Sequence, residues 1–139
     1  MAVSFFSEEV KMPKIAKRKT AAWIKAVIEK YGFKTGNITF IFCSDEYILK
    51  MNRDFLRHDY YTDIITFDYT EDKLISGDIF ISLDTVLSNA QKFNSGYDNE
   101  LHRVMIHGIL HLCGITDQTP EEREIMEQLE NEALKERDF

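Results

Sequence analysis

The sequence predicts an α+β domain: a small mixed β-sheet of about four strands packed with helices, one of them central and buried. Three observations lead there. Apolar, β-rich segments alternate with stretches of helical periodicity. One helical stretch, from about residue 98 to 113, is apolar nearly all round. The chain's 139 residues, 44% of them hydrophobic, suffice for one core. No linker, repeat or low-complexity tract divides it, so residues 1–139 read as a single domain.

The elements follow in order. "AVSFF" reads as a short first strand. From Pro13 to Tyr31, Trp23, Val27 and Tyr31 recur at helical spacing, with lysines elsewhere. "NITFIFC" is apolar on both faces and reads as a buried strand. Ser44 caps "DEYILKMNRDFL", a helix with Ile48, Asn52 and Phe55 on one face. "DIITFDY" and "GDIFISL" form an antiparallel hairpin around "TEDKLIS". The strand–helix–strand order from Asn37 to Phe67 implies one right-handed crossover. Asp84 or Thr85 starts a helix that ends near "FNSGYD". In the last helix, Thr119 is the N-cap, Pro120 fits the first turn and Glu122 completes a capping box. Ile125, Met126, Leu129 and Ala133 form its inward face.

Net charge is −7, unevenly spread. Residues 1–35 carry a surplus of five positive charges, whereas 36–116 and 117–139 each carry a deficit of six. An acidic total counts against indiscriminate nucleic-acid binding. The segment "KMPKIAKRKT" can contact phosphates locally or serve as a solvated helix face. No apolar run reaches the roughly 18 residues of a membrane span, and "MAVSFFSEEVK" lacks a signal peptide's apolar core. A cytoplasmic protein with no membrane partner is expected. Cys43 and Cys113 sit in apolar stretches, as reduced thiols packed like small hydrophobes would.

The chemistry concentrates in "HGILHLCGITDQTP", residues 107–120. On the apolar helix the polar residues Glu100, Arg103, His107 and His111 form one stripe. Residues four apart on a helix share a face, so His107 and His111 can bind one ion. Gly114 ends the helix and lets Asp117 swing back towards both. Two nitrogens and one oxygen leave a position open for water, the makeup of a catalytic rather than a structural zinc site. The same histidines are also compatible with core residues hydrogen-bonded to carbonyls. Gly108, costly in mid-helix by about 1 kcal/mol, implies a close approach beside a site or tight packing of a neighbour. Cys113 points away from the stripe, and His102 lies off it, at the surface. Position 108 is not the Glu that the H-E-x-x-H peptidase pattern requires. Asp63, before a strand, can orient a ligand or a water, or simply form a turn with Thr62. Asp78 stabilises the start of its strand, and Glu100 is placed to pair with Arg103.

"HGILHLCGITD" resembles the signature of the YbeY family, H-G-x-L-H-L-x-G-x-x-H. "TDIITF" at 62–67 and "GDIFIS" at 77–82 resemble that family's T-D-V-L-S-F and G-D-I-x-I-S segments, in the same order, and "MNRDFL" resembles the stretch before them. The resemblance runs from about residue 37 to 118. It implies a metal-dependent, single-strand-specific endoribonuclease acting in ribosomal RNA maturation, at the 3′ end of the small-subunit RNA, and in ribosome quality control. Single-stranded RNA, ribosomal RNA and the small ribosomal subunit are then the implied partners. The resemblance places the first two metal ligands on His107 and His111. The family's third histidine falls on Asp117, giving a His-His-Asp set for one Zn2+ or another divalent ion. The family's arginine after the Asn-containing helix falls on Leu56. Arg57 next door can supply the same guanidinium to a phosphate, or be an ordinary exposed arginine. The expected site is therefore Arg57 and Asp63 for catalysis, with His107, His111 and Asp117 for metal. The alternatives are a zinc hydrolase of a peptide or ester, and a non-enzymatic ribosome-assembly factor with a structural metal.

Overall fold

The computed structural model describes residues 2–56 and 62–139. Four strands, β1 (Val3–Ser7), β2 (Lys34–Cys43), β3 (Ile64–Asp68) and β4 (Leu74–Ser82), form one sheet in the order β1-β2-β4-β3. β1 pairs parallel with β2, β2 parallel with β4, and β3 antiparallel with β4. The described residues also form five helices: α1 (Lys17–Lys30), α2 (Asp45–Leu56), α3 (Leu83–Phe93), α4 (Tyr97–Leu112) and α5 (Pro120–Lys135). The expected α+β class and four-stranded mixed sheet are both present.

The hairpin of β3 and β4 turns at Asp72 and Lys73, which take φ of 49° and 65°. Glu71 and Leu74 exchange both backbone hydrogen bonds around them, closing a two-residue turn that suits the strands' twist. β4 therefore starts at Leu74, three residues earlier than its "GDIFISL" core suggests. The hairpin also corrects the expected crossover. β4, not β3, lies beside β2, so β2 and β3 run antiparallel and are not neighbours. The physical reason is burial: β4 carries Ile75, Ile79 and Ile81 without exposure and takes the interior place, leaving the shorter β3 at the edge. The parallel strand–helix–strand connection is instead β1-α1-β2.

One face of the sheet carries the main core. Ile38, Phe40 and Phe42 of β2 and the three isoleucines of β4 pack with Trp23, Ile24, Val27 and Ile28 of α1 and with the apolar surface of α4. α2 covers part of the other face, where Ile48 meets Cys43 and Ile65. Phe55, read from the sequence as sharing a face with Ile48 and Asn52, is 64% exposed and touches Phe67 edge-on. α1 begins at Lys17 rather than near Pro13, after Ala16, whose side chain offers no cap.

α4 is the central buried helix. Leu101, Val104, Met105, Ile106, Ile109, Leu110 and Leu112 are all buried. It ends in a Schellman motif: Ile115 N–H donates to Leu110 O and Gly114 N–H to His111 O, with Gly114 at φ 91°. α5 starts on the expected capping box, Thr119 Oγ1 accepting from Glu122 N–H at 3.1 Å and Glu122 Oε1 from Thr119 N–H at 3.2 Å. Its inward face differs from expectation. Met126, Glu130 and Ala133 are buried, whereas Ile125 is 52% exposed. Trp23 Nε1 donates to Ala133 O at 2.8 Å and fastens α5 to α1.

Candidate metal centre

The site is built from the polar stripe of α4, the turn after it and the facing surface of α5. His107 and His111 lie one helical turn apart, and their Nε2 atoms come within 2.9 Å of each other. The Schellman turn reverses the chain, so Asp117 faces both rings. Its Oδ2 lies 3.4 Å from His107 Nε2 and its Oδ1 3.5 Å from His111 Nε2. Among the described residues, these three side chains have ligand atoms all within 4.8 Å of one another.

The donor set fits a small divalent cation. Ligand atoms held tetrahedrally at about 2.0 Å from one ion stand ~3.3 Å apart, close to the separations seen here. The second nitrogen of His107 is engaged, which leaves its Nε2 facing inward. His107 Nδ1 donates to Glu130 Oε2 at 2.6 Å. Burial opposes a charged His107 ring, but the carboxylates of Glu130, Asp117 and Asp63 outweigh it and hold its pKa above the ordinary value. Burial and the neighbouring His107 instead push His111 down.

Asp63 stands at the start of β3, where its carbonyl accepts from Ser82 N–H at 2.9 Å. Burial raises its carboxyl pKa, opposed by the charge of His107, so it sits within electrostatic reach of the centre. Arg57 lies outside the described residues. Asp78 does not mark the start of its strand: β4 begins four residues earlier, at Leu74, and Asp78 accepts from Tyr69 Oη at 3.3 Å.

Two further expectations need correction. His102 is not at the surface: it is 1% exposed, packed against Trp23 and Phe139, with Nδ1 donating to Asp98 O at 2.7 Å. α4 is enclosed on more sides than its polar stripe suggested. Glu100 is not paired with Arg103; it is buried and accepts from Ser95 Oγ at 3.3 Å. Arg103 turns to Glu130 and Asn131 of α5, because α5 crosses beside the stripe and offers a buried carboxylate.

Glu130 is the residue that sequence reasoning missed. A signal was present. Met126, Glu130 and Ala133 share one face of α5 at helical spacing, and a charged residue on an inward face demands a partner. A cleft of about 490 Å³ opens beside the centre between α4 and α5, lined by Phe93, Arg103, His107, Asp117, Arg123 and Glu130 among others.

Gly108 has no contact with this cleft. A Cβ there would meet Ile64 Cδ1 at 3.0 Å and Ile79 Cγ2 at 3.1 Å, so the glycine lets α4 settle closely on the sheet. Tight packing of a neighbour is thus its role.

Comparison with known proteins gives a consistent result. Residues 3–138 match the family model described as Endoribonuclease YbeY. The chain is 63% identical over 134 residues to Endoribonuclease YbeY of Parabacteroides distasonis, covering 96% of this chain and 94% of that one. It is also 63% identical to Endoribonuclease YbeY of Bacteroides thetaiotaomicron, covering 96% and 98%. The solution structure of TM1509 from Thermotoga maritima superposes with a TM-score of 0.67 at 27% identity, over 97% of this chain and 91% of that one.

Proposed function

The chain belongs to the Endoribonuclease YbeY family, and from that premise we propose that it is a metal-dependent endoribonuclease of single-stranded RNA. The observation that carries this reading is the convergence of His107 Nε2, His111 Nε2 and Asp117 on one point, with a cleft beside it. Two nitrogens and one carboxylate favour Zn2+ with an open position, though other divalent ions suit the same set. A divalent ion bound there supplies positive charge to a phosphoryl oxygen and lowers the pKa of water.

The chain's own residues divide the remaining work. Asp63, with its raised carboxyl pKa near His107, orients a water or holds a proton beside the centre. Arg57 binds a substrate phosphate. Lys17, Arg18 and Lys19 are exposed at the start of α1 and offer further phosphate contacts to an otherwise acidic molecule.

We place the substrate in ribosomal RNA, at the 3′ end of the small-subunit RNA, with the small subunit as partner. The family resemblance supports this. A cytoplasmic location accords with it, and with two buried free cysteines, Cys43 and Cys113. No helix among the described residues is long and apolar enough to cross a membrane.

The test uses protein stripped of metal and a labelled single-stranded RNA carrying a small-subunit 3′ end, with a duplex and a peptide as comparisons. Chelation abolishes cleavage of the single strand, and stoichiometric Zn2+ restores it. Far-UV circular dichroism in parallel separates lost chemistry from lost structure. Full cleavage by the stripped protein, or cleavage of the peptide alone, would overturn the proposal.

A further inference from the structure

Glu130 meets the polar stripe of α4 from the opposite helix, and its two oxygens do different things. Its side chain is only 9% exposed. Oε1 accepts from Arg103 Nη1 at 2.9 Å, and Oε2 accepts from His107 Nδ1 at 2.6 Å. Arg103 is itself anchored, its Nη2 donating to Asn131 Oδ1 at 2.5 Å. A clamp between α4 and α5 needs only the Arg103 contact. The second oxygen, placed on the imidazole nitrogen that faces away from Asp117, calls for another explanation.

We propose that Glu130 is a positioning residue for the metal centre: by accepting the Nδ1 proton of His107 it fixes the tautomer whose Nε2 lone pair faces the ion. The inference rests on the metal-centre reading above. Which nitrogen of a histidine ligates is set by the hydrogen bond made by the other, and a carboxylate in that place also makes the ring a stronger donor. Arg103 serves one step further out, holding the carboxylate's plane and compensating its burial.

Two substitutions separate this role from simple bracing. Glu130→Gln keeps the shape but has one oxygen for two donors. Its amide N–H can face Nδ1, which moves the ring proton to Nε2 and blocks ligation. Arg103→Met breaks the brace yet leaves the carboxylate on His107. Zn2+ affinity is measured by competition with a chromophoric chelator, alongside the melting temperature of each metal-free protein. E130Q is expected to weaken Zn2+ binding by about 10- to 100-fold, the usual cost of losing such a support. R103M is expected to stay within about threefold of wild type, whatever stability it loses. Long-range 15N NMR of the metal-free protein at alkaline pH should show Nδ1–H on His107 in wild type and a shift towards Nε2–H in E130Q.

Equal affinity of E130Q and wild type would overturn the inference while leaving the metal centre standing. So would an R103M loss as large as that of E130Q, which would reduce Glu130 to a brace. Wild-type protein that takes up no Zn2+ would instead refute the metal centre itself.

Discussion

Gly108 lies against Ile79 so closely that a Cβ on the glycine would stand 3.1 Å from the isoleucine's Cγ2. This contact sets how deeply α4 sits on the sheet. The glycine falls between His107 and His111, on the side of the helix facing β3 and β4, while the His107 ring faces Glu130 of α5.

Gly108→Ala therefore tests packing rather than chemistry. Alanine favours the helix by about 1 kcal/mol, but forcing a methyl into a filled core costs about 1–3 kcal/mol. Ile79 is fully buried and has little room to give. The expected result is a net loss of about 1 kcal/mol in denaturant unfolding, and a larger loss for Gly108→Val. An alanine variant more stable than wild type would show that α4 can lift without cost.

Much of this arrangement is legible in the sequence because it is local. The period of α4, the capping box of Thr119 and Glu122, the left-handed Gly114 and the i, i+4 histidines all follow from rules acting within one or two turns. What stays hidden depends on distant partners. Glu130 becomes part of the site only because α5 folds back across α4. Arg103 turns away from Glu100 for the same reason. His102 is enclosed by Trp23 and Phe139, residues that arrive from either end of the chain. The place of β4 inside the sheet depends on competition between strands, which no single strand's pattern reports.

The two cysteines provide a second prediction. Burial pushes the Cys43 thiol up to about 12 and that of Cys113 up to about 11, both from 9.0. Since the thiolate is the reactive form, neither should react with a thiol reagent at mildly alkaline pH while the protein is folded. Both should react on unfolding in denaturant. Rapid labelling of either cysteine in the native protein would contradict the packing described here.

His102 gives a pH prediction with a definite sign. Its ring is buried, which holds its pKa below the ordinary value, and Arg137 adds to the effect. Nδ1 already donates to Asp98 O, and Nε2 has no hydrogen-bond partner among the described residues. Below a pH of about 6.5 the unfolded chain therefore binds this proton more readily than the folded one. Stability falls as pH drops from there through the lowered pKa. Against His102→Phe, which keeps the ring volume, wild type should lose stability more steeply in that acid window, and the two curves should run parallel above it. Identical slopes would remove His102 as the cause.

The account's central claim is that His107, His111 and Asp117 hold one ion together. Its most direct test is Zn2+ titration of metal-free wild type, Asp117→Ala, Asp117→His and Thr119→Ala. Thr119→Ala serves as the control for the start of α5: it should lose about 1 kcal/mol of stability and keep full metal binding. Wild type should take up one tightly held ion. Asp117→His should retain it, since imidazole is also a ligand. Asp117→Ala should bind more than about 100-fold more weakly, beyond the range for losing a residue that merely supports a ligand. An Asp117→Ala protein that still holds one ion as tightly as wild type would contradict the claim.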